Sequence, residues 1–378
     1  MQIGVITWFH YENYGTVLQA LALQKYLEVK GYESELIDFP IIDFGGRRDK
    51  ISFNNLLPKI KNKIVFKFLN VKYKQKHYNR SKKFKDTIYK NCNVSNYVKN
   101  HLEFVNLANQ FDLLICGSDQ IWNPNGYVDY VFANYPQIIP PKIAYAPSLG
   151  VKQIPDYYVG TYFNTLKSFS SLSVRERNAQ KDIVTTLGLP CSLVVDPVLL
   201  LDSTEWRKII SKENTNKEKY VLCYFLTDNA KHWKAAEKFA RSKKLKLKII
   251  TMTINSYIHS GEKVIDAGPE EFFNYIDNAA YVITDSFHAS VFSIILHKNF
   301  YVFERTDPND SVSQNSRIYN LLNESNLNDR LVKYNSRTIV EKHNINFNNV
   351  KRQMKKMIDD SKNYLINSIE KETKQCKR

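Results

Sequence analysis

Short apolar runs alternate along the chain with segments whose apolar residues recur at helical spacing. The first run covers positions 2–7, and after a polar loop positions 17–30 form an amphipathic segment that stops at Gly31. A second short run follows at 35–39. This strand–helix–strand order predicts a parallel α/β sheet, in which ligands bind beyond the carboxyl ends of the strands.

The same alternation predicts two α/β units. In the first, the further strands are expected at 111–116, 142–146, 171–174 and 193–195, and the further helices near 156–167 and 178–187. The proline-containing segment 196–206 leaves the sheet and predicts a hinge. In the second, strands are expected at 220–226, 247–252, 281–284 and 300–303, and helices at 231–242, 269–278 and 286–296. We expect domains at 1–200 and 201–345, with substrate in the cleft between them.

Two segments lie outside this alternation. Residues 44–99 are rich in Lys and Asn with spaced aromatics, which predicts a helical insertion at about 45–100, with helices at 56–70 and 75–90. In the C-terminal segment 346–378, the sequence pattern predicts a Lys-rich helix over 350–371.

Composition narrows the class of protein. The chain has 378 residues, 43% of them hydrophobic, with 12 Gly and 12 Pro, which favours a folded protein over a disordered or collagen-like one. No run approaches 18 apolar residues, so we expect no transmembrane helix. The five cysteines are scattered and the N-terminus has no signal-peptide pattern, which favours reduced thiols in the cytoplasm and no metal site.

The formal net charge of +16 is compatible with nucleic acid, an anionic membrane or a small anionic substrate. The sequence contains no helix-turn-helix, zinc-finger or RNP-like pattern, so we expect no nucleic-acid partner. Most of the excess lies in 47–99 and in the tail. That surplus could attract an anionic membrane or form a solvated lysine face, and both interpretations stay open.

Two polar motifs follow predicted strands of the first unit. In the loop 11–16, Gly15 would let a ligand approach a helix start, although Asn13 or Thr16 could equally be a structural cap. In the stretch 117–123, Asp119 could orient a sugar hydroxyl or take its proton, or it could simply cap a helix, as Ser118 could.

Three more polar motifs could face the same cleft. Arg175 offers a planar fork to a phosphate or carboxylate, or pairs with its neighbour Glu176 on the surface. His288, in the first turn after a strand, could donate a proton or bind an anion, whereas a lone histidine is usually structural. Arg305 and Arg317 could line the cleft or carry solvated loop charge.

Together these motifs resemble the polysaccharide pyruvyl transferase family. The matching stretches are NYGTVLQALALQKYL from Asn13, FDLLICGSDQIWN from Phe111, SVRE from Ser173, VVDPVLLL from Val194, ITDSFHASVFSI from Ile283 and NSRI from Asn315. They occur in the family's order and cover roughly 10–40 and 110–325. The basic insertion and the C-terminal helix are not covered.

The resemblance implies a GT-B-like fold of two Rossmann-like domains facing a central cleft. It implies transfer of pyruvyl from phosphoenolpyruvate to a sugar of a bacterial cell-surface polysaccharide precursor, forming a pyruvate ketal and releasing phosphate. Arg175 would bind the donor's phosphate or carboxylate, His288 would be a candidate general acid, and Asp119 would lie near the acceptor hydroxyls. Many members carry Arg where this chain has Ser286, and Arg317 or Arg305 would then supply the missing charge.

These considerations give a specific set of expected site residues. The catalytic residues are His288, Asp119 and Arg175; the donor-binding residues are Arg175, Ser286, His288, Arg317 and Arg305; the acceptor-binding residues are Asn13, Tyr14, Gly15, Thr16, Ser118, Asp119, Gln120 and Trp122. We expect no cofactor besides phosphoenolpyruvate as donor substrate. The expected acceptor is a glycan or lipid-linked oligosaccharide, reached in the cytoplasm or at the inner face of the membrane. A GT-B glycosyltransferase that uses a nucleotide-sugar donor is the alternative.

Overall fold

The computed structural model describes residues 1–40, 65, 68–69, 71–210, 218–310 and 315–376, and the first of its sheets is fully parallel. Its strand order is β2-β1-β3-β4, with β1 Gln2–Ile6, β2 Glu33–Leu36, β3 Leu113–Cys116 and β4 Lys142–Ala144. A parallel pair, β5 Ser173–Val174 and β6 Ser192–Leu193, extends it, because the Ala144 amide donates to the Ser171 carbonyl at 2.9 Å. The helices of this part are α1 Tyr14–Val29, α2 Lys74–Asn91, α3 His101–Ala108, α4 Val159–Leu166 and α5 Arg177–Thr186.

The second sheet is also parallel and has six strands in the order β12-β11-β10-β7-β8-β9. Its strands are β7 Tyr220–Tyr224, β8 Lys246–Ile250, β9 Glu262–Val264, β10 Tyr281–Thr284, β11 Asn299–Phe303 and β12 Leu331–Val332. Its helices are α6 Ser203–Ile210, α7 Ala230–Ser242, α8 Ile254–Ile258, α9 Pro269–Asn278, α10 Phe287–Ile295 and α11 Ser316–Glu324, followed by α12 Phe347–Cys376. The predicted α/β class is confirmed.

One contiguous apolar core joins the two sheets. It includes Val5 of β1, Leu222 of β7 and Leu365 of α12, each fully buried. Helix α1 is buried along most of its length because it packs against β2 of the first sheet on one side and against helices α9 and α10 of the second unit on the other. Residues of α1 and of the second sheet therefore meet across a fixed interface.

The predicted hinge is a packed connection. A 3₁₀ helix, Pro197–Leu200, begins where Asp196 accepts a hydrogen bond from the Val198 amide at 3.1 Å. Trp206 is fully buried and donates from Nε1 to the Val198 carbonyl at 3.0 Å. We propose the domain boundary here, at the end of this 3₁₀ helix.

Helix α12 spans both units and is longer than the predicted 350–371. Near its start, Phe347 stacks on His297 with ring centroids 5.0 Å apart. Further along, Ser361 Oγ accepts from the Val195 amide at 2.9 Å, and Tyr364 donates to the Ala144 carbonyl at 3.0 Å. The helix thus fastens the second unit to the first.

The insertion helix α2 also bridges the two units. Its Lys83 donates to the Asp266 carbonyl at 2.9 Å, and Arg80 Nη1 donates to the Thr251 carbonyl at 2.9 Å. This helix corresponds to the predicted 75–90 segment, whereas most of the predicted helix at 56–70 lies outside the described residues.

Several short elements were not predicted from the sequence. They are α3, α6, α8, α11, β9 and β12, which are two to nine residues long. Elements this short span few periods of a hydrophobic pattern, so the pattern identifies some of them, such as β5 and α4, and misses others. No helix within the described ranges combines the length and apolarity needed to cross a membrane.

Candidate functional site

A cavity of about 610 Å³ opens between the carboxyl ends of the two sheets. On the side of the first unit, the cavity is lined by residues that come after strands β1 and β3. On the side of the second unit, it is lined by residues that come after β7, β10 and β11. The lining residues are Trp8, Tyr11, Glu12, Asn13, Thr16, Asp119, Gln120, Asn123, Asn125, Leu226, Ser286, Phe287, His288, Arg305 and Arg317. This is where parallel α/β sheets bind ligands, as the sequence predicts.

His288 is placed in the cavity by the turn between β10 and α10. Asp285 is buried and accepts from the Leu226 amide at 2.7 Å and from the Thr227 amide at 3.1 Å, and burial raises the pKa of its carboxyl. Ser286 caps α10 through its side chain, which accepts from the Ala289 amide at 3.4 Å. Ser286 is therefore both a cap and a cavity-lining residue.

The imidazole of His288 packs against the start of α1. A Cβ added to Gly15 would lie 1.9 Å from Nδ1 of His288, so only glycine fits there. On its other side, Nε2 of His288 lies 3.5 Å from Oδ2 of Asp196, an ion pair when the ring is protonated. The histidine is thus held between the two units.

Arg175 lies behind the cavity in a buried charge network. Its guanidinium donates to Asp196 and lies 3.3 Å from Oδ1 of Asp119 and 3.9 Å from Oε1 of Glu176. Burial alone would lower the pKa of Arg175, but the Asp196, Asp119 and Glu176 carboxylates raise it above its ordinary value. The Arg175 side chain is 2% exposed and does not line the 610 Å³ cavity. Donor binding by Arg175 stays a prediction. Its contacts with Asp196, Asp119 and Glu176 show that it also holds the buried charge network together.

Asp119 connects this network to the cavity. Its Oδ2 accepts from Thr16 Oγ1 at 2.5 Å, and its backbone has a φ of +61°, a conformation that non-glycine residues adopt mainly at special sites. Burial raises its pKa, but Arg175 and then His288 outweigh burial and hold the pKa below its ordinary value. Asp119 is therefore ionised at neutral pH.

Two further arginines face the cavity from the second unit. Burial and the neighbouring Arg175 lower the pKa of Arg317 to about 10. With its amide oxygen turned toward Arg317, Gln120 accepts from Nη2 at 3.0 Å and Nη1 at 3.3 Å. Arg305 is half-buried, and its backbone amide donates to Asn315 at 2.8 Å. Arg175 and Arg305 both repel the charge of Arg317. An anionic ligand would reduce this repulsion among the three guanidinium groups, so the site favours an anion.

Three of the predicted acceptor residues lie away from the cavity. Tyr14 is buried, donates to the Ala267 carbonyl at 2.8 Å and stacks on Phe272 with centroids 4.2 Å apart. Ser118 is fully buried and donates to the Ala146 carbonyl at 2.9 Å, and Trp122 is fully buried in the core. Gly15 does not line the cavity but leaves the space that the His288 ring occupies. Asn13, Thr16 and Gln120 line the cavity.

The sequence reasoning missed several residues of this site. Asp196 stands in the hinge segment and in the matching stretch VVDPVLLL but was given no role in the site, although it follows the apolar run 193–195 and so has the strand-end pattern of the other motifs. Tyr11 and Asn123 lie within the recognised motifs 11–16 and 117–123, and Trp8 and Asn125 lie beside them, but none of the four was assigned to the site, because their positions relative to the cavity depend on tertiary packing.

Across the described ranges, no group of three or more His, Cys, Asp or Glu is arranged to hold a metal ion.

The fourth buried carboxylate of the site, Glu176, accepts from the Ser148 hydroxyl and from the Leu149 amide at 3.3 Å. It therefore orders the backbone beside Arg175.

Comparisons with known proteins identify the fold and the family. The chain is similar in structure to a UDP-GlcNAc 2-epimerase from Methanocaldococcus jannaschii, with a TM-score of 0.52, 9% identity and coverage of 95% of this chain and 93% of that one. A UDP-GlcNAc 2-epimerase from Neisseria meningitidis gives 0.51, 11% identity and coverage of 98% and 100%. This likeness confirms the GT-B-like fold.

Sequence comparison with curated proteins finds no match. The model of the family described as polysaccharide pyruvyl transferase matches residues 13–308, more than three quarters of the chain. The chain therefore belongs to the polysaccharide pyruvyl transferase family.

Proposed function

We propose that the protein transfers pyruvyl from phosphoenolpyruvate to two hydroxyls of a sugar in a polysaccharide precursor, forming a ketal and releasing phosphate. The observation that carries the proposal is the cationic wall of the cavity, formed by Arg305, Arg317 and His288 at the start of α10. A helix N-terminus flanked by arginines suits a small ligand bearing a phosphate and a carboxylate.

The proposed reaction assigns each group a task. A proton from His288 would be added to C3 of the donor, which makes C2 electrophilic, and one sugar hydroxyl would add to C2 while losing its proton. The bond from C2 to the phosphate oxygen then breaks, and the second hydroxyl adds to C2 with loss of its proton. Of the two protons lost by the hydroxyls, one restores the proton that His288 gave to C3 and the other is taken up by the released phosphate. One donor trianion and one diol give one ketal carboxylate and one hydrogen phosphate dianion, so atoms and charge balance.

Asp196 and Asp119 support this proposal through electrostatics. The Asp196 carboxylate, whose pKa is held below its ordinary value chiefly by Arg175 against the effect of burial, lies 3.5 Å from Nε2 of His288. An ionised carboxylate at this distance favours one orientation of the imidazole ring. Asp119, ionised and partly open to the cavity, would orient an acceptor hydroxyl.

The proposal is tested by incubating the protein with phosphoenolpyruvate and a panel of glycosides. We expect phosphate release together with a product heavier than the acceptor by pyruvate less water. His288→Gln should abolish both signals. Neither signal with any acceptor, combined with tight binding of a nucleoside diphosphate, would instead support a nucleotide-sugar transferase.

We also propose that the acceptor is carried on a lipid and that the protein meets it at an anionic membrane. The exposed cations Lys351, Arg352 and Lys355 at the start of α12 support this, although Lys355 is paired with Asp359. In a flotation experiment, more of the protein should rise with anionic vesicles than with neutral ones. The double substitution Lys351→Glu and Arg352→Glu should reduce the amount that rises with anionic vesicles. Equal recovery with neutral vesicles would contradict this part of the proposal.

A further inference from the structure

A second cavity, of about 380 Å³, lies along one face of α12, from Phe347 to Lys362. Its opposite wall is formed by the end of α10 and by residues within 199–204, in the segment that joins the two units. No described residue lines both this cavity and the 610 Å³ cavity. We call it the α12 groove, and the proposed transfer reaction uses none of its lining residues.

The groove is elongated because it follows one stripe of α12. The α12 residues that line it recur three or four positions apart, so they share one face of the helix. The 15 steps from Phe347 to Lys362 span about 22 Å along the helix axis. The hydrocarbon layer of one membrane leaflet is about 15 Å thick, half of the bilayer core. A groove of this length therefore suits one extended chain better than a compact ring.

The floor of the groove is apolar. Its three segments contribute aliphatic side chains, among them Leu201, Ile295, Met354 and Ile358. The first three are buried and Ile358 is half-buried, so the floor is a packed surface that a ligand can cover without rearrangement of the core. Covering such a surface with hydrocarbon removes it from water, which is favourable.

One end of the groove, near the start of α12, is positively charged. Burial lowers the pKa of His297, and three neighbouring cations lower it further: Arg207, Lys351 and Lys298. Arg207 and Lys298 both pair with the Asp277 carboxylate, at 2.8 Å and 3.4 Å. The three cations and this one carboxylate together carry a net positive charge. An anionic group is therefore stabilised at this end.

The far part of α12 meets the start of α6 around one tyrosine. Burial and then the Glu205 carboxylate raise the pKa of Tyr26 to about 12. Nζ of Lys362 lies 5.7 Å from the centre of the same ring. The start of α6 thus lies at the Lys362 end of the groove.

Charges at this far end balance. Lys355 is paired with Asp359, and Asp202 accepts from the Thr204 amide at 2.8 Å where α6 begins. With Lys362, the lining residues here supply two cations and two carboxylates. The groove therefore has a cationic end, an apolar floor and a far end without excess charge, which is the pattern that an anionic amphiphile requires.

We propose that the α12 groove binds one hydrocarbon chain of an anionic membrane lipid, with the headgroup beside Lys351 and His297 and the chain extending toward Ile358. Binding in the groove holds the protein at the membrane that carries the proposed acceptor. This inference rests on the proposed function for the source of the lipid, and it is independent of pyruvyl transfer.

Chain binding is measured by calorimetry on the full chain, with probes below their micelle-forming concentrations and without phosphoenolpyruvate or glycoside. The probes are butyl, octyl and dodecyl phosphate, together with dodecyl maltoside and dodecyltrimethylammonium. Affinity should rise with chain length, by about fourfold for each methylene that becomes buried. Dodecyl phosphate should bind at least about tenfold more tightly than either of the other dodecyl probes. Equal affinities of butyl and dodecyl phosphate would exclude a chain site, and equal affinities of the three dodecyl probes would contradict the headgroup assignment.

Variants on α12 locate the ligand. Lys351→Gln should weaken dodecyl phosphate binding by about fivefold, whereas Lys356→Gln, at an exposed position outside the groove, should not. Ile358→Gln should reduce the advantage of dodecyl over butyl phosphate. Ile366→Gln, the same change at a half-buried position of α12 outside the groove, should preserve it. Unchanged binding in both Lys351→Gln and Ile358→Gln would place the ligand elsewhere and overturn the inference.

Turnover and flotation separate this inference from the proposed function. Pyruvyl transfer without binding of any dodecyl probe would leave the proposed reaction in place and overturn the inference. Binding of dodecyl phosphate without recovery on anionic vesicles would support the groove and contradict the proposed membrane contact. A dimer in analytical ultracentrifugation that Ile358→Gln dissociates would show that a second copy of the chain covers the groove, which would also overturn the inference.

Discussion

Gly15 and His288 are in direct contact across the two units of the protein. A Cβ on Gly15 would lie 1.9 Å from Nδ1 and 2.4 Å from Cε1 of the imidazole. The ring is rigid, so it can avoid such a Cβ only by rotating away from its position beside Asp196. The start of α1 therefore determines where the proposed general acid lies.

Gly15→Ala should displace His288 and reduce kcat by about 10²-fold or more, because small misplacements of a catalytic group cost this much. The measurement is kcat together with the thermal unfolding midpoint. Gly160→Ala in α4 is the matched control, since a Cβ there meets no atom within 4 Å. Full activity in Gly15→Ala would show that the position of His288 is not critical.

Asp196→Asn should destabilise the protein by about 3 kcal/mol, because it removes a partner from the buried Arg175. The free energy of unfolding in denaturant measures this. Asp359→Asn, which removes an exposed partner of Lys355, should change it by less than about 1 kcal/mol. Equal effects of the two substitutions would show that the buried network is not strongly coupled.

The same substitution should change the dependence of stability on pH. The folded-state pKa of Asp196 is below its unfolded value of about 3.9, so its contribution is complete above that pH and is lost as pH falls toward the folded value. Between about pH 5 and pH 3, the free energy of unfolding should therefore fall less steeply in Asp196→Asn than in the unsubstituted protein. Parallel curves would contradict the depressed pKa of Asp196.

Arg317→Gln should raise the donor KM by about tenfold or more, the loss of one charge-assisted hydrogen bond. The thermal midpoint should stay the same or rise, because a half-buried cation that is repelled by Arg175 is removed. Arg207→Gln, which removes an exposed partner of Asp277, is the control and should leave the donor KM unchanged. An unaffected donor KM in Arg317→Gln would exclude this arginine from the donor site.

Tyr14→Phe should leave the acceptor KM unchanged and reduce stability by about 1 kcal/mol, because it removes a buried hydrogen bond to Ala267 but keeps the stack on Phe272. Steady-state kinetics with varied acceptor and thermal unfolding measure the two effects. A higher acceptor KM at unchanged stability would return Tyr14 to the acceptor site.

Much of this architecture was predictable because strand ends in parallel sheets converge. Asp119 and His288 were placed at one cleft from their positions after apolar runs, and both line the cavity. What could not be predicted was which side chains turn inward. Tyr14 and Trp122 stand in polar motifs, yet aromatic packing buries both. The burial of Arg175 likewise arises from tertiary contacts, because two of its three carboxylate neighbours, Asp196 and Asp119, are more than 20 positions away in the sequence.

The contacts of the basic insertion also could not be predicted from the sequence. Its charge suggested a surface for membranes or a solvated face, and the sequence gives no sign that Arg80 and Lys83 reach the second unit. A helix that makes contacts with both units can be recognised only once the units are placed relative to each other. The contact of Arg80 with Glu12, at 3.0 Å, follows from the same placement.

The central claim is that the enolpyruvyl carbon skeleton is protonated at C3 and moved intact onto a sugar. The most direct measurement is NMR of the product formed from phosphoenolpyruvate and a glycoside acceptor in D₂O. The account predicts a pyruvate ketal whose methyl group carries deuterium from the solvent, formed together with inorganic phosphate. A product that keeps the methylene of the donor, or transfer of a sugar from a nucleotide with phosphoenolpyruvate unchanged, would contradict it.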